Sequence, residues 1–412
     1  MSKQAIIFAI VLCLPVSNSQ AAEWSGFAGL DTRFFTEPAA AATQNSSFAD
    51  PSLMLQPEFR QEWSAGRDRF TAIPFARYDS LDTNRSHWDV REFNWLHKED
   101  RFTVKAGVGK VFWGVTESRH LVDIVNQTDF VENLDSEEKL GQPMLNLDVP
   151  SDYGNFSLFY LPYFRERTFP AANGRLRFNL PVDVNTPEFH GVSRWHPDSA
   201  IRWSKTFGDW DVGVSNFYGL GREPRFAVHV PLLNNSIPIG APTLSPVYDL
   251  IDQSSLDVQG AVGNWLFKLE AMTRSGQGHR FAALVSGFEY TQYGVLASSA
   301  DLGWLMEYQY DGRDKSSPTA LNPTAPPTYQ DNNIFVGTRL TLNDTQNTQF
   351  LFGTSIQLNT QATLLSFEAS RRLWDNWKVE IESRLFKNIP NTSILTGMSK
   401  DDYVQIRLIR FF

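Results

Sequence analysis

Apolar and polar residues alternate with a period of two along most of the chain. Between 69 and 79, Phe70, Ala72, Pro74, Ala76 and Tyr78 share one face, and Arg69, Thr71, Arg77 and Asp79 share the other. Trp265, Phe267, Leu269 and Ala271 oppose Lys268, Glu270 and Arg274. Leu302, Trp304, Met306, Tyr308 and Tyr310 oppose Glu307, Gln309 and Asp311. Trp377, Val379 and Ile381 oppose Lys378, Glu380, Glu382 and Arg384. Side chains of a β-strand point to alternate faces, so these are strands with one apolar and one strongly charged face.

The turns decide which face is inside. Short polar turns recur at 66–68, 98–100, 153–155, 208–209, 263–264 and 375–376, each followed by an aromatic: Phe70, Phe102, Phe156, Trp210, Trp265 and Trp377. Aromatics repeated at one end of successive hairpins form a membrane-interface girdle. Two further short turns are predicted near 296–300 and 343–347. Long connections fall near 37–51, 82–86, 114–142, 166–198, 220–252, 276–279, 314–331, 357–361 and 389–400. Eight short turns and nine long connections give 18 strands, or 16 if 143–151 or 348–356 is not a full strand. The expected fold is all-β: a transmembrane antiparallel barrel, apolar outside and charged inside, with both termini on the periplasmic side. Tyr403–Phe412 alternates Val404, Ile406 and Leu408 against Gln405 and Arg407 and ends on Phe412. Such a final strand looks like the signal read by the outer-membrane assembly machinery, with Phe412 as its key residue. Arg410 interrupts its apolar face, where a long basic side chain can snorkel.

Composition agrees. Of 412 residues, 20% are charged and 13% aromatic, with 12 Trp, 12 Tyr and 31 Phe. That is too polar for a helical membrane protein and too aromatic for a disordered chain. After the N-terminus no apolar run approaches the 18 or so residues of a spanning helix. The formal net charge of −9 disfavours nucleic acid. Lys3, the apolar stretch Ala5 to Val16 and the small residues Ser19 and Ala21 read as a signal peptide, 1–21. The sole cysteine, Cys13, lies inside it, and the large Leu12 before it argues against a lipoprotein. The mature chain, 22–412, is then one barrel domain without disulfides or Cys-ligated metal.

One stretch is distinctive: Trp88-Asp89-Val90-Arg91-Glu92, Gly107-Val108-Gly109-Lys110-Val111-Phe112-Trp113-Gly114, Glu117-Ser118-Arg119-His120-Leu121-Val122-Asp123, Asn126-Gln127-Thr128-Asp129 and Lys139-Leu140-Gly141-Gln142-Pro143-Met144. It resembles a group of uncharacterised proteobacterial outer-membrane barrel proteins. More loosely, it is similar to alginate-export and porin-like barrels, where a Trp-Gly pair closes a strand ahead of an inward-folding loop. The resemblance is dense over 88–170 and thinner elsewhere. It implies the fold and an outer-membrane location reached through the periplasm, and no reaction or substrate.

Segment 114–142 is the candidate constriction. Glu117, Asp123, Asp129, Glu132, Asp135, Glu137 and Glu138 against Arg119 and Lys139 give it a balance of −5. Gly107 and Gly109 before it leave space on the lumen side, and Leu121, Val122, Ile124 and Val125 offer a small apolar core. Two readings stand: an acidic ring that favours cations, or a loop pinned to the wall by Arg60, Arg77 or Arg91. A Ca²⁺ site from these carboxylates matches no EF-hand spacing. The expected lumen wall includes Glu58, Arg60, Arg77, Arg91, Lys268, Glu270, Arg274, Glu380, Glu382 and Arg384. Ser118, His120 and Asp123 can be drawn as a hydrolase triad, but side chains so close on one loop rarely converge. No P-loop, HExxH, GxSxG or Rossmann motif is present. The sequence thus predicts a non-enzymatic, cofactor-free and metal-free channel for small hydrophilic solutes, selective by pore width and charge. Its partners would be outer-membrane lipid, lipopolysaccharide, the assembly machinery and a small solute. A plugged barrel serving export or surface structure is the alternative.

Overall fold

The computed structural model describes residues 22–230, 232–233, 237–238, 240–314 and 323–412. The predicted signal segment, with Cys13, lies outside the described residues. Eighteen antiparallel strands form one closed barrel. The first nine are β1 (Glu23–Phe35), β2 (Ala49–Trp63), β3 (Asp68–Asp79), β4 (His87–Lys98), β5 (Thr103–Gly109), β6 (Gln142–Ser151), β7 (Gly154–Leu161), β8 (Asp198–Phe207) and β9 (Trp210–Leu220). The second nine are β10 (Leu250–Val262), β11 (Trp265–Ser275), β12 (Phe281–Gln292), β13 (Asp301–Asp311), β14 (Asn332–Thr341), β15 (Gln349–Gln357), β16 (Thr363–Trp374), β17 (Trp377–Lys387) and β18 (Tyr403–Phe411). Each pairs with its chain neighbours. β1 closes the ring on β18, from Phe27 opposite Phe411 to Phe35 opposite Tyr403. The short turns and long connections fall at the predicted places, and the count of eighteen holds.

The faces are inverted relative to a water-soluble protein. On β11, Trp265 and Phe267 are 41% and 38% exposed on the outer surface, while Lys268 and Glu270 are 8% and 0% exposed inside. A charge on the lipid face costs about 2–4 kcal/mol at mid-membrane, whereas one facing the lumen stays solvated or paired. At the short-turn end the Trp265 ring packs 4.8 Å from Tyr290 and 5.2 Å from Phe288, part of the expected girdle. Arg410 lies over Trp377 in the same zone. Pro74 is accommodated where the β3–β4 register shifts, a place where a missing N–H costs least.

Some inward positions are apolar, which alternation alone does not announce. Met54, Phe75 and Ile409 pack together inside the barrel. Larger apolar surfaces line other parts of the wall, and the long connections fold onto them. Within those connections Glu188–Phe189, Arg225–His229 and Thr243–Tyr248 form a small sheet of their own. At the long-loop end Phe169, Phe178, Phe226, Leu395 and Met398 cluster with Phe35 and Tyr403 of the wall. This packing caps part of the lumen.

Candidate pore constriction

Segment 110–141 leaves β5 and crosses the lumen before returning as β6. Gly107 serves the strand pair and not the loop. Its φ is +129°, and a Cβ there would lie 2.3 Å from the Phe93 carbonyl. Gly107 opposes Asn94 and shares the lumen face of β5 with Gly109, whose Cβ would meet Lys105, Met144 and Asn94. Buried Asn126 ties both ends of the loop. Its Nδ2 donates to the Gly109 and Leu140 carbonyls at 2.9 Å each, and its Oδ1 accepts from the Val111 N–H at 2.9 Å.

The apolar residues of the loop do not make a core of their own. Val122, Ile124 and Val125 pack on Phe159, Leu161, Phe217 and Ile251 of the wall, with Trp113 and Met144. Leu121 packs on Met272, Phe281, Ala283 and Val285. The wall's inward apolar patches are the other half of this core.

Two wall carboxylates then capture the loop backbone. Glu270 accepts from the N–H groups of Val115 (2.7 Å), Thr116 (3.0 Å) and Val122 (3.1 Å) and from the Thr116 hydroxyl (2.7 Å). Glu307 accepts from the N–H groups of Glu117 and Ser118 at 2.8 Å each, and from the Ser118 hydroxyl. Gly114, at φ +150°, makes the close approach possible: a Cβ there would lie 3.0 Å from both Glu270 Oε1 and His120 Nδ1. His120 sits between Glu270 and Glu137, at 3.7 and 3.9 Å. Burial alone would lower its pKa, but these two carboxylates outweigh burial and push it up to about 9.

On the opposite wall, Glu132 receives both Arg77 Nε and Nη2 at 2.7 Å. Asp129 takes Arg91 Nη2 at 2.7 Å and the Thr168 hydroxyl at 2.7 Å, with His87 Nε2 at 3.1 Å. Burial would raise the Asp129 carboxyl; His87 and Arg91 instead hold it well below the usual range. His87, Asp129 and Glu132 are close enough to share a metal ion. Both carboxylates already serve a guanidinium, so the donor set fits charge pairing better than a metal. The segment is thus a bridge between β1–β4 on one side and β11–β13 on the other.

The acidic-ring expectation is corrected accordingly. Asp129 and Glu132 are 0% and 5% exposed and turn into the wall, not into the passage. Glu117, Arg119, Asp123 and Asp135 do line the open space, but each is paired. Glu117 meets Arg339 at 2.7 Å, Arg119 meets Asp311 at 2.8 Å, Asp123 meets Lys139 at 2.9 Å and Asp135 meets Arg384 at 3.2 Å. Asp135 is pushed up to about 7 by burial, against the pull of Arg384. Of the three arginines expected to pin the loop, Arg77 and Arg91 do so. Arg60 instead pairs with Glu58 near the short-turn end, at 3.2 Å. Lys268 and Glu270 lie behind the loop, whereas Arg274, Glu380, Glu382 and Arg384 border the passage. Ser118, His120 and Asp123 are each engaged elsewhere and form no triad.

What is left open is a cavity of about 620 Å³ between the loop and the inner face of β14–β18. Its lining counts nine acidic and nine basic side chains besides His120, so the passage as a whole has no acidic excess. The anchoring role of Glu307 has no sequence signal beyond its inward parity, because two of its three partners are backbone N–H groups.

No protein-family model matches the sequence, and no curated protein matches it. The fold is similar to a BenF-like porin from Pseudomonas fluorescens Pf-5, at 8% identity and a TM-score of 0.54, covering 96% of this chain and 98% of that one. It is also similar to Wzi of Escherichia coli, an outer-membrane protein involved in group 1 capsule assembly and described as a carbohydrate-binding β-barrel. That match has 9% identity and a TM-score of 0.50, and covers 93% of this chain and 83% of Wzi. At these identities the likeness establishes a porin-like barrel fold.

Proposed function

We propose that the protein is an outer-membrane channel for passive diffusion of small hydrophilic solutes, narrowed by the inward segment 110–141. The observation that carries this reading is the polar cavity left beside that segment, lined by charges of both signs along β14–β18. The lumen is narrowed by a loop held at both walls and left open beside β14–β18. That arrangement sets a size limit without sealing the barrel. Because acidic and basic lining residues balance, sieving is by size more than by overall charge. Liposomes carrying the protein are expected to swell in small sugars and amino acids and progressively less in larger oligosaccharides. Equal exclusion of the smallest sugar would refute the channel.

A second reading, a plugged barrel, is favoured by one observation: the packed aromatic cluster of Phe169, Phe178 and Phe226 at the long-loop end. It predicts no swelling with any solute.

Export through the periplasm and recognition by the assembly machinery belong to the same proposal. Phe412 supports it by its place: exposed on the outer face, its N–H donating to the Gly26 carbonyl at 3.1 Å across the closing strand pair. Removing Phe412 is expected to lower the amount of heat-modifiable, membrane-inserted barrel. Wild-type levels in the deletion variant would exclude this role.

A further inference from the structure

The charges lining the passage balance in number but not in place. At the long-loop end, strand ends and connections bring guanidinium groups together around shared carboxylates. Glu223, in the connection after β9, lies 3.0 Å from Arg313, 3.1 Å from Arg274 and 3.9 Å from Arg119. Asp311, at the end of β13, is shared by Arg119 at 2.8 Å and Arg313 at 2.7 Å. Arg167, in the connection after β7, adds a fourth cation. It acts on Glu223 across the cavity but forms no ion pair within 4.0 Å among the described residues. Its guanidinium makes only a long contact, 3.5 Å from Nε to Gln127 Oε1. Burial pushes its pKa below the ordinary arginine value. Among the described residues that pair in this cluster, four guanidiniums face two carboxylates, Glu223 and Asp311. Arg222 nearby is not part of it, since Asp198 matches it at 2.8 Å.

We propose that Arg119, Arg167 and Arg274, backed by Arg313, form a binding subsite for a small oxyanion, a carboxylate or phosphate group carried by the solute. The inference rests on the channel reading and names its solute class. Arg119, Arg167, Arg274 and Glu223 all border the cavity, so an entering anion meets them from the water-filled side. A guanidinium offers a planar fork of donors that fits two oxygens of one carboxylate or phosphate. Arg167 has donors unspent and faces the cavity, so it gains most from such a partner. A neutral sugar has no charge to set against these guanidiniums. A cation is repelled.

The test uses the purified full-length barrel in detergent at low salt. Succinate and inorganic phosphate are titrated calorimetrically, with glucose as the neutral control, and the same solutes are added to single channels in planar bilayers. At least one oxyanion is expected to bind and to reduce the current, and glucose is not. Arg167→Gln leaves Glu223 with Arg274 and Arg313, so the variant keeps its fold. The variant is expected to weaken oxyanion binding about ten-fold, the loss typical of one charge-assisted hydrogen bond. Lys378→Gln, at the opposite end of the cavity, is expected to leave binding unchanged. Which anion binds separates the carboxylate source from the phosphate source. Absence of binding by both anions, or equal weakening by Arg167→Gln and Lys378→Gln, overturns the subsite. Current without binding overturns the subsite and keeps the channel. Binding without current keeps the subsite and overturns the channel.

Discussion

Replacing Glu270 by alanine is expected to release the constriction and to destabilise the barrel by roughly 3–5 kcal/mol. The side chain is 0% exposed and accepts three backbone N–H groups and a hydroxyl from the loop. Alanine leaves those donors buried without a partner, which costs more than the hydrogen bonds gain when made. It also leaves His120 charged beside Glu137 alone. Limited proteolysis within 115–122 and a lower denaturation temperature in detergent are the readouts. A protease-resistant loop in the variant would show that the apolar packing of Val122, Ile124 and Val125 holds it without Glu270.

The same anchor carries a pH dependence. The His120 pKa is raised above its unfolded value near 6.5 to about 9, so its contribution is complete below 6.5. It declines as pH rises and is lost through about 9. Loop cleavage in the wild type is therefore expected to accelerate as pH rises from about 6.5 to about 9, and His120→Gln is expected to flatten that profile.

Shortening the loop has its larger consequence for transport. Replacing 115–138 by a brief Gly-Ser linker removes the buried N–H groups together with their acceptors' task. Glu270, Glu307, Arg77 and Arg91 then face water, where a lumen charge is inexpensive. The shortened barrel is expected to remain heat-modifiable and to conduct several-fold more than the wild type. It should also lose size discrimination among oligosaccharides, because the part of the lumen now occupied by the loop becomes solvent. Unchanged conductance would place the narrowest point elsewhere, at the aromatic cluster of the long-loop end.

The barrel was legible because its signals are local. Alternation fixes the faces, a polar turn followed by Phe or Trp marks one end, and the hairpin count follows. The loop was legible as a charged, glycine-preceded insertion, but its electrostatics were not. A balance of −5 says how many carboxylates are present and not which wall they face. Asp129 and Glu132 turn to Arg91 and Arg77, whose availability depends on a neighbouring hairpin 38 and 55 residues earlier in the chain. Glu307 holds the loop through backbone N–H groups, which carry no sequence identity. The apolar inward patches that seat Leu121 to Val125 are likewise hidden, since Phe159, Leu161, Phe217 and Ile251 interrupt alternation only at strand ends. The guanidinium cluster around Glu223 draws on three connections and two strands, and no spacing rule gathers them.

Single-channel recording of the wild-type barrel in planar bilayers tests the central claim most directly. The account predicts discrete, ohmic current steps, smaller than those of the loop-shortened variant. A correctly folded, inserted barrel that passes no current, with or without segment 115–138, would contradict it.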